Sequence, residues 1–113
     1  MWEALKDAIC TAFRSGGGDP DSGREIYGNL RKLALEEVQL RAAIIALRDR
    51  HPYMRLAVQF ASALRTRIIG DGLMNEAELD LAVAECEAIA ADPSAAAITF
   101  TVTQAVGRKP MVN

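Results

Sequence analysis

The stretch LALEEVQLRAAIIAL, residues 33–47, decides the fold of this 113-residue chain. Read with a period of two, it has one apolar face and fits a strand, with Val38, Leu40, Ala42 and Ile44 on that face. Read with heptad spacing, it fits part of one long helix over 29–48, whose seam holds Leu30, Leu33, Leu40, Ile44 and Leu47. Periodicity alone slightly favours the helix, so the residues leave both structures open.

The flanking sequence predicts about four helices and one further strand. Apolar residues at three- and four-residue steps predict helices over 2–15, around Ile26 to Leu33, over 53–69, and from a capping box at Asn75 and Glu78 to Asp92. From Ala97 to Val106, apolar residues alternate with threonines, which predicts a strand. With a strand near 37–45, the chain is an α+β fold in which the two strands pair as an antiparallel ribbon. With the long helix, it is mostly helical.

Length and charge bound the class of protein. A chain of 113 residues is one domain, predicted over 1–113. Thirteen Lys and Arg against fifteen Asp and Glu leave a net charge of −2 and no broad basic face, so nucleic acid is not an expected partner. No apolar run approaches the ~18 residues needed to span a bilayer. Glu3 and Asp7 interrupt the N-terminal apolar positions, so no signal peptide is predicted and we expect a cytoplasmic protein.

The reactive residue types are few. Cys10 and Cys86 lie in helical patterns, and with the single His51 they cannot form a standard zinc site, so no metal is predicted and both are interpreted as small buried apolar residues. The carboxylates stand at helix starts and turns, where unsatisfied amides favour them. We therefore assign no catalytic residue.

Three stretches together resemble a known family. They are GGDPDSGREIYGNLRKLALEEVQLRA from Gly17, PYMRLAVQFASALRTRIIGDGLMNEAELD from Pro52, and ADPSAAAITFTVTQAVGRKP from Ala91. In this order and spacing they resemble the C-terminal third of Rossmann-like (class I) S-adenosylmethionine-dependent methyltransferases, especially bacterial enzymes of small-molecule metabolism. The chain departs from the family at Ala34, where Gly is usual, and at Val106, where Trp is common.

The resemblance implies a strand at Glu37 to Ile45 and a helical segment over the substrate pocket. It also implies that the half of the enzyme holding the cofactor is missing. That half contains a glycine-rich turn after a strand, whereas Gly16–Gly18 follow a predicted helix and Gly70–Gly72 lie between predicted helices. We therefore predict no cofactor-binding residue in this chain, and S-adenosylmethionine only through a partner subunit. Met1 directly before a helix with a complete apolar stripe favours a natural start of the chain over a fragment.

Five residues are predicted to line a substrate pocket, because the resemblance places their segment over it: His51, Tyr53, Met54, Phe60 and Leu64. An exposed loop position is the alternative for the histidine. Core packing or a subunit contact is the alternative for the other four, since a Met and aromatic stripe at helical spacing is typical of both.

A ribbon of two strands is marginal alone, and its open edge favours association. We predict that the chain completes a sheet with a methyltransferase subunit or as a homodimer. The first function hypothesis is a truncated, methyltransferase-like accessory subunit, inactive alone, which supplies a substrate-pocket cap or an interface. The second is a stand-alone homodimer that binds an apolar small molecule, or a cofactor-free enzyme such as a cyclase.

Overall fold

Residues 33–47 contain a strand, not a helix. In the computed structural model, which describes residues 1–111, a helix ends at Lys32 and a strand runs over Glu36–Ala43. Between them Ala34 has φ +59°, a left-handed conformation that stops the helix. The α+β prediction is confirmed. The alternative of one long helix over 29–48 is wrong, because the left-handed backbone at Ala34 interrupts it.

The described residues contain five α-helices and four strands. The helices are α1 (Trp2–Ser15), α2 (Ile26–Lys32), α3 (Leu56–Ala63), α4 (Arg65–Gly70) and α5 (Glu76–Ala91), with 3-10 turns at Ser22–Arg24 and Pro52–Arg55. The strands are β1 (Glu36–Ala43), β2 (Ala46–Leu47), β3 (Ala97–Ile98) and β4 (Val102–Arg108). The predicted third helix is divided in two at Leu64, where φ is −102° and ψ is 5°.

The predicted ribbon forms, but its second strand is interrupted. β1 pairs antiparallel with β4, and β2 pairs antiparallel with β3. Between the two pairs, the Ile45 N–H donates to Thr99 Oγ1 (2.9 Å) and the Thr99 N–H donates to the Ile45 carbonyl (3.0 Å). A side-chain oxygen thus replaces a backbone acceptor, and the continuous strand predicted over 97–106 becomes β3 and β4.

The chain divides into two compact units. The first unit is Met1–Asp19 with Ala46–Ile98, and the second unit is Pro20–Ile45 with residues 99–111 of the described chain. The prediction of a single domain over 1–113 stays a prediction.

The first unit has a helical core. α1 buries residues three and four apart on one face, and these pack with residues of α3, α4 and α5. The cluster consists of Leu5, Ala8, Ile9, Ala12, Ala61, Ile68, Met74, Leu79 and Ala82. The predicted capping box is present at the start of α5, where the Glu78 N–H donates to Asn75 Oδ1 (2.9 Å) and the Asn75 N–H donates to Glu78 Oε2 (3.0 Å).

The second unit is the β1–β4 ribbon covered on one face by α2. The helix contacts both strands, and glycines allow close packing of β4 against the segments on either side of α2. A Cβ added to Gly107 would lie 2.9 Å from the Leu35 Cβ, and one added to Gly23 would lie 2.9 Å from Thr103 Oγ1. β1 is distorted by a bulge between Glu36 and Gln39.

Substituting Ala34 by glycine should stabilise the second unit. Left-handed backbone costs a residue with a Cβ about 1 kcal/mol, a cost that glycine does not carry. We therefore expect amide exchange in β1 to slow about fivefold in Ala34→Gly. The control, Ala43→Gly in extended backbone of the same strand, should speed that exchange. Faster exchange in Ala34→Gly would show that Ala34 does not hold this conformation.

Candidate functional site

His51 begins the segment predicted to lie over a substrate pocket. It is half-buried and is the N-cap of the 3-10 turn at Pro52–Arg55, where its Nδ1 accepts a hydrogen bond from the Tyr53 N–H (3.1 Å). The imidazole and the Tyr53 ring lie 5.2 Å apart between centroids. His51 therefore orders the start of this segment, and its Nδ1 lone pair is already engaged.

The other predicted lining residues separate into two environments. Tyr53 is exposed and Met54 is half-buried, both within the turn that His51 caps. Phe60 and Leu64 are half-buried and pack against the helical core, and the Phe60 ring meets the Phe13 ring edge to face at 5.6 Å. The structure thus brings His51 and Tyr53 together, whereas Phe60 and Leu64 join the core packing of the first unit.

The depressions of the first unit are shallow and open. One, of about 310 Å³, is lined by Arg55, Glu87, Ala90 and Ala91, and the Arg55–Glu87 ion pair (3.0 Å) lies within it. The other, of about 540 Å³, is lined by Ala63, Leu64, Thr66, Arg67 and Asp71. Neither encloses a ligand, because both are wide open to solvent.

The two cysteines are free thiols, and Cys86 is held in its unreactive form. Both are half-buried thiols in helices of the first unit. Burial raises the pKa of the Cys86 thiol, which keeps it protonated at neutral pH and makes it a poor nucleophile. Within residues 1–111 no group of His, Cys, Asp and Glu has the arrangement of a metal site.

The two faces of the ribbon in the second unit differ in exposure. Its side chains alternate along β4, with half-buried Thr103, Ala105 and Gly107 on the face that α2 covers. The opposite face presents Val102 and Val106, which are 49% and 67% exposed. On β1, Gln39 and Arg41 lie opposite Val106 and Gln104. This outer face is therefore part apolar and part polar, and its two valines are about half or more exposed.

The two edges of the ribbon differ. β1 carries the bulge, a left-handed Glu37 (φ +51°), and charges at Glu36, Glu37 and Arg41. Bulges and charges are the features with which natural sheets prevent their edges from pairing. β4 has no bulge, no proline and no charge from Val102 to Gly107. On the side of β4 away from β1, no strand among the described residues is paired, although the 3-10 turn Ser22–Arg24 contacts β4.

The sequence predicts that the ribbon has an open edge but does not identify the strand that provides it. The signal is the uncharged run TVTQAVG at 101–107, set against the three charges of EEVQLRA at 36–42. The bulge in β1 has no clear signal in the sequence, because Glu37 is not a residue type that favours positive φ.

Comparison with protein-family models, with curated proteins and with solved structures finds no match to this chain. No helix among residues 1–111 is long and apolar enough to cross a membrane.

Proposed function

We propose that this chain is a methyltransferase-like accessory subunit that is inactive alone. Its β4 edge adds the ribbon to the sheet of a partner, an S-adenosylmethionine-dependent methyltransferase acting on a small molecule in the cytoplasm. The partner supplies the cofactor site, and this chain supplies an interface and a cap over the substrate pocket.

The open β4 edge carries the proposal. Pairing with another strand would give cross-strand partners to the backbone N–H and carbonyl groups of β4 that point away from β1. The same contact would cover Val102 and Val106 and remove exposed apolar surface. Both gains require a neighbouring sheet edge, which a methyltransferase lacking its closing strands would offer.

One of the two positions that depart from the resembled family is compatible with the family pattern. Ala34, where the resembled family usually has Gly, has the left-handed backbone that glycine favours. Val106, where a tryptophan is common in that family, lies on the outer face of the ribbon and is exposed. Only the backbone at Ala34 bears on the family pattern, because the exposure of Val106 favours no particular residue type.

The cap role is assigned to the segment that begins at His51. His51, Tyr53 and Met54 lie together in one capped turn, and the exposed Tyr53 ring is available to a ligand. Phe60 and Leu64 act behind them through core packing that holds α3 in place. An apolar or aromatic substrate suits this set of side chains.

Isothermal calorimetry with S-adenosylmethionine on the isolated chain tests the absence of a cofactor site. We expect no heat of binding, because the cofactor contacts belong to the partner. A micromolar binding signal would overturn the proposal. Light scattering on the same sample provides the second readout. A tight dimer that retains an apolar ligand would favour the homodimeric binding protein or cyclase instead.

A further inference from the structure

Burial is divided unequally between the two units. All eleven buried residues of the described chain lie in the first unit, on α1, α3, α4 and α5, on β2, and at Met74. In the second unit, no residue within 20–45 or 99–111 is buried. Its larger apolar side chains remain mostly in water, with Leu33 69% and Phe100 60% exposed.

Because none of its described residues is fully buried, the second unit gains little free energy to offset the conformational entropy that it loses on folding. Apolar burial is the main favourable contribution to folding, and an isolated two-stranded ribbon is marginally stable. The cross-strand ion pairs of Arg108 with Glu36 (3.6 Å) and Glu37 (3.3 Å) are exposed, and such pairs contribute little. Left-handed backbone at Ala34 and Glu37 opposes folding further.

We infer that the second unit folds on docking. In the isolated chain, α2 and the ribbon open and close while the helical core of the first unit stays folded. Pairing of the β4 edge with a partner sheet then holds the second unit closed. The docking step rests on the proposed function; the independent opening rests on the burial of the chain alone. Ordering on binding lowers affinity for a given contact area, which suits an exchangeable subunit.

Hydrogen exchange with mass spectrometry on the isolated full chain tests the opening. We expect β1 and β4 amides to exchange at rates within about tenfold of those of an unfolded chain. Amides in the middle of α1 and α5 should exchange at least about a thousandfold more slowly than in an unfolded chain. Equal protection of the ribbon and the helices would overturn the inference and leave docking by the β4 edge untouched. A fast-exchanging ribbon in a chain that fails to dock would instead contradict only the proposed function.

A pair of variants gives a second readout. Gly107→Ala pushes a methyl group against the Leu35 side chain and should speed exchange in β1 and β4. It should leave the thermal midpoint of the helical circular dichroism signal unchanged. Leu5→Ala, in the buried core, should lower that midpoint. An equal fall of the thermal midpoint in both variants would show that the two units unfold together and would overturn the inference.

Discussion

Replacing Leu79 with alanine should destabilise the first unit by about 2–5 kcal/mol. Leu79 is fully buried on α5, at the centre of the helical cluster with Leu5 and Ile68. The substitution removes buried apolar contacts and leaves a cavity that the surrounding helices fill only in part. Small domains have only about 5–15 kcal/mol of stability in total, so the loss should remove a substantial part of the free energy of unfolding and lower the urea midpoint.

Urea unfolding followed by circular dichroism measures this loss. Leu81→Ala is the matched control, because Leu81 lies two residues away on the same helix and is 52% exposed. It should change the free energy of unfolding by less than about 0.5 kcal/mol. Equal losses in the two variants would mean that α5 does not bury the face that carries Leu79 and Ala82.

The sequence was sufficient for the fold class once the stretch at 33–47 was assigned. Alternating apolar residues predicted the ribbon, and β1 and β4 pair in antiparallel register as expected. The prediction of a long helix failed because heptad spacing carries no information about a left-handed residue that ends a helix. Ala34 adopts positive φ, although alanine rarely does. The positive φ that ends α2 is therefore a conformation that the preference of alanine does not predict.

The breaks within elements depended on tertiary contacts. The segment over 53–69 is apolar throughout, so periodicity does not reveal that it divides at Leu64. The strand over 97–106 has continuous strand propensity, yet Thr99 Oγ1 accepts the hydrogen bond that ends the regular pairing. Threonine favours strands and also forms side-chain-to-backbone bonds, and only the position of Ile45 decides between them.

The candidate site was predicted in part. The pattern of His51 before Pro52 is that of a helix start, and the imidazole does cap the turn. Spacing could not separate Tyr53 and Met54 in the capped turn from Phe60 and Leu64, because these four residues share one apolar helical pattern. The edge of β4 follows from its lack of charge, whereas the bulge that protects β1 arises from backbone geometry at Glu37. The uncharged run in β4 is thus visible in the sequence, whereas the grouping of the five predicted lining residues is not.

Placing lysines on the outer face of β4 should abolish docking. In Val102→Lys/Val106→Lys, both substituted positions are exposed and lie outside the helical core, so the core of the isolated chain should stay folded. Beside a partner strand, the lysine side chains would be partly covered and their ammonium groups would lose water. Burying an unpaired charge costs several kcal/mol, and every 1.4 kcal/mol is tenfold in affinity. We expect at least about hundredfold weaker association with a methyltransferase polypeptide that has the glycine-rich cofactor turn and lacks the closing strands.

Light scattering on mixtures of the two polypeptides measures this association, and methyl transfer by the mixture gives a second readout. Leu81→Lys/Ile89→Lys is the control, because it adds the same two charges at exposed apolar positions of α5 in the first unit. Both properties should survive in the control, since α5 is not part of the β4 edge. Loss of association in the control as well would show that net charge, and not the ribbon, governs the contact. Full association of the β4 variant would contradict docking through this edge, because lysines on an edge strand prevent the pairing that docking requires.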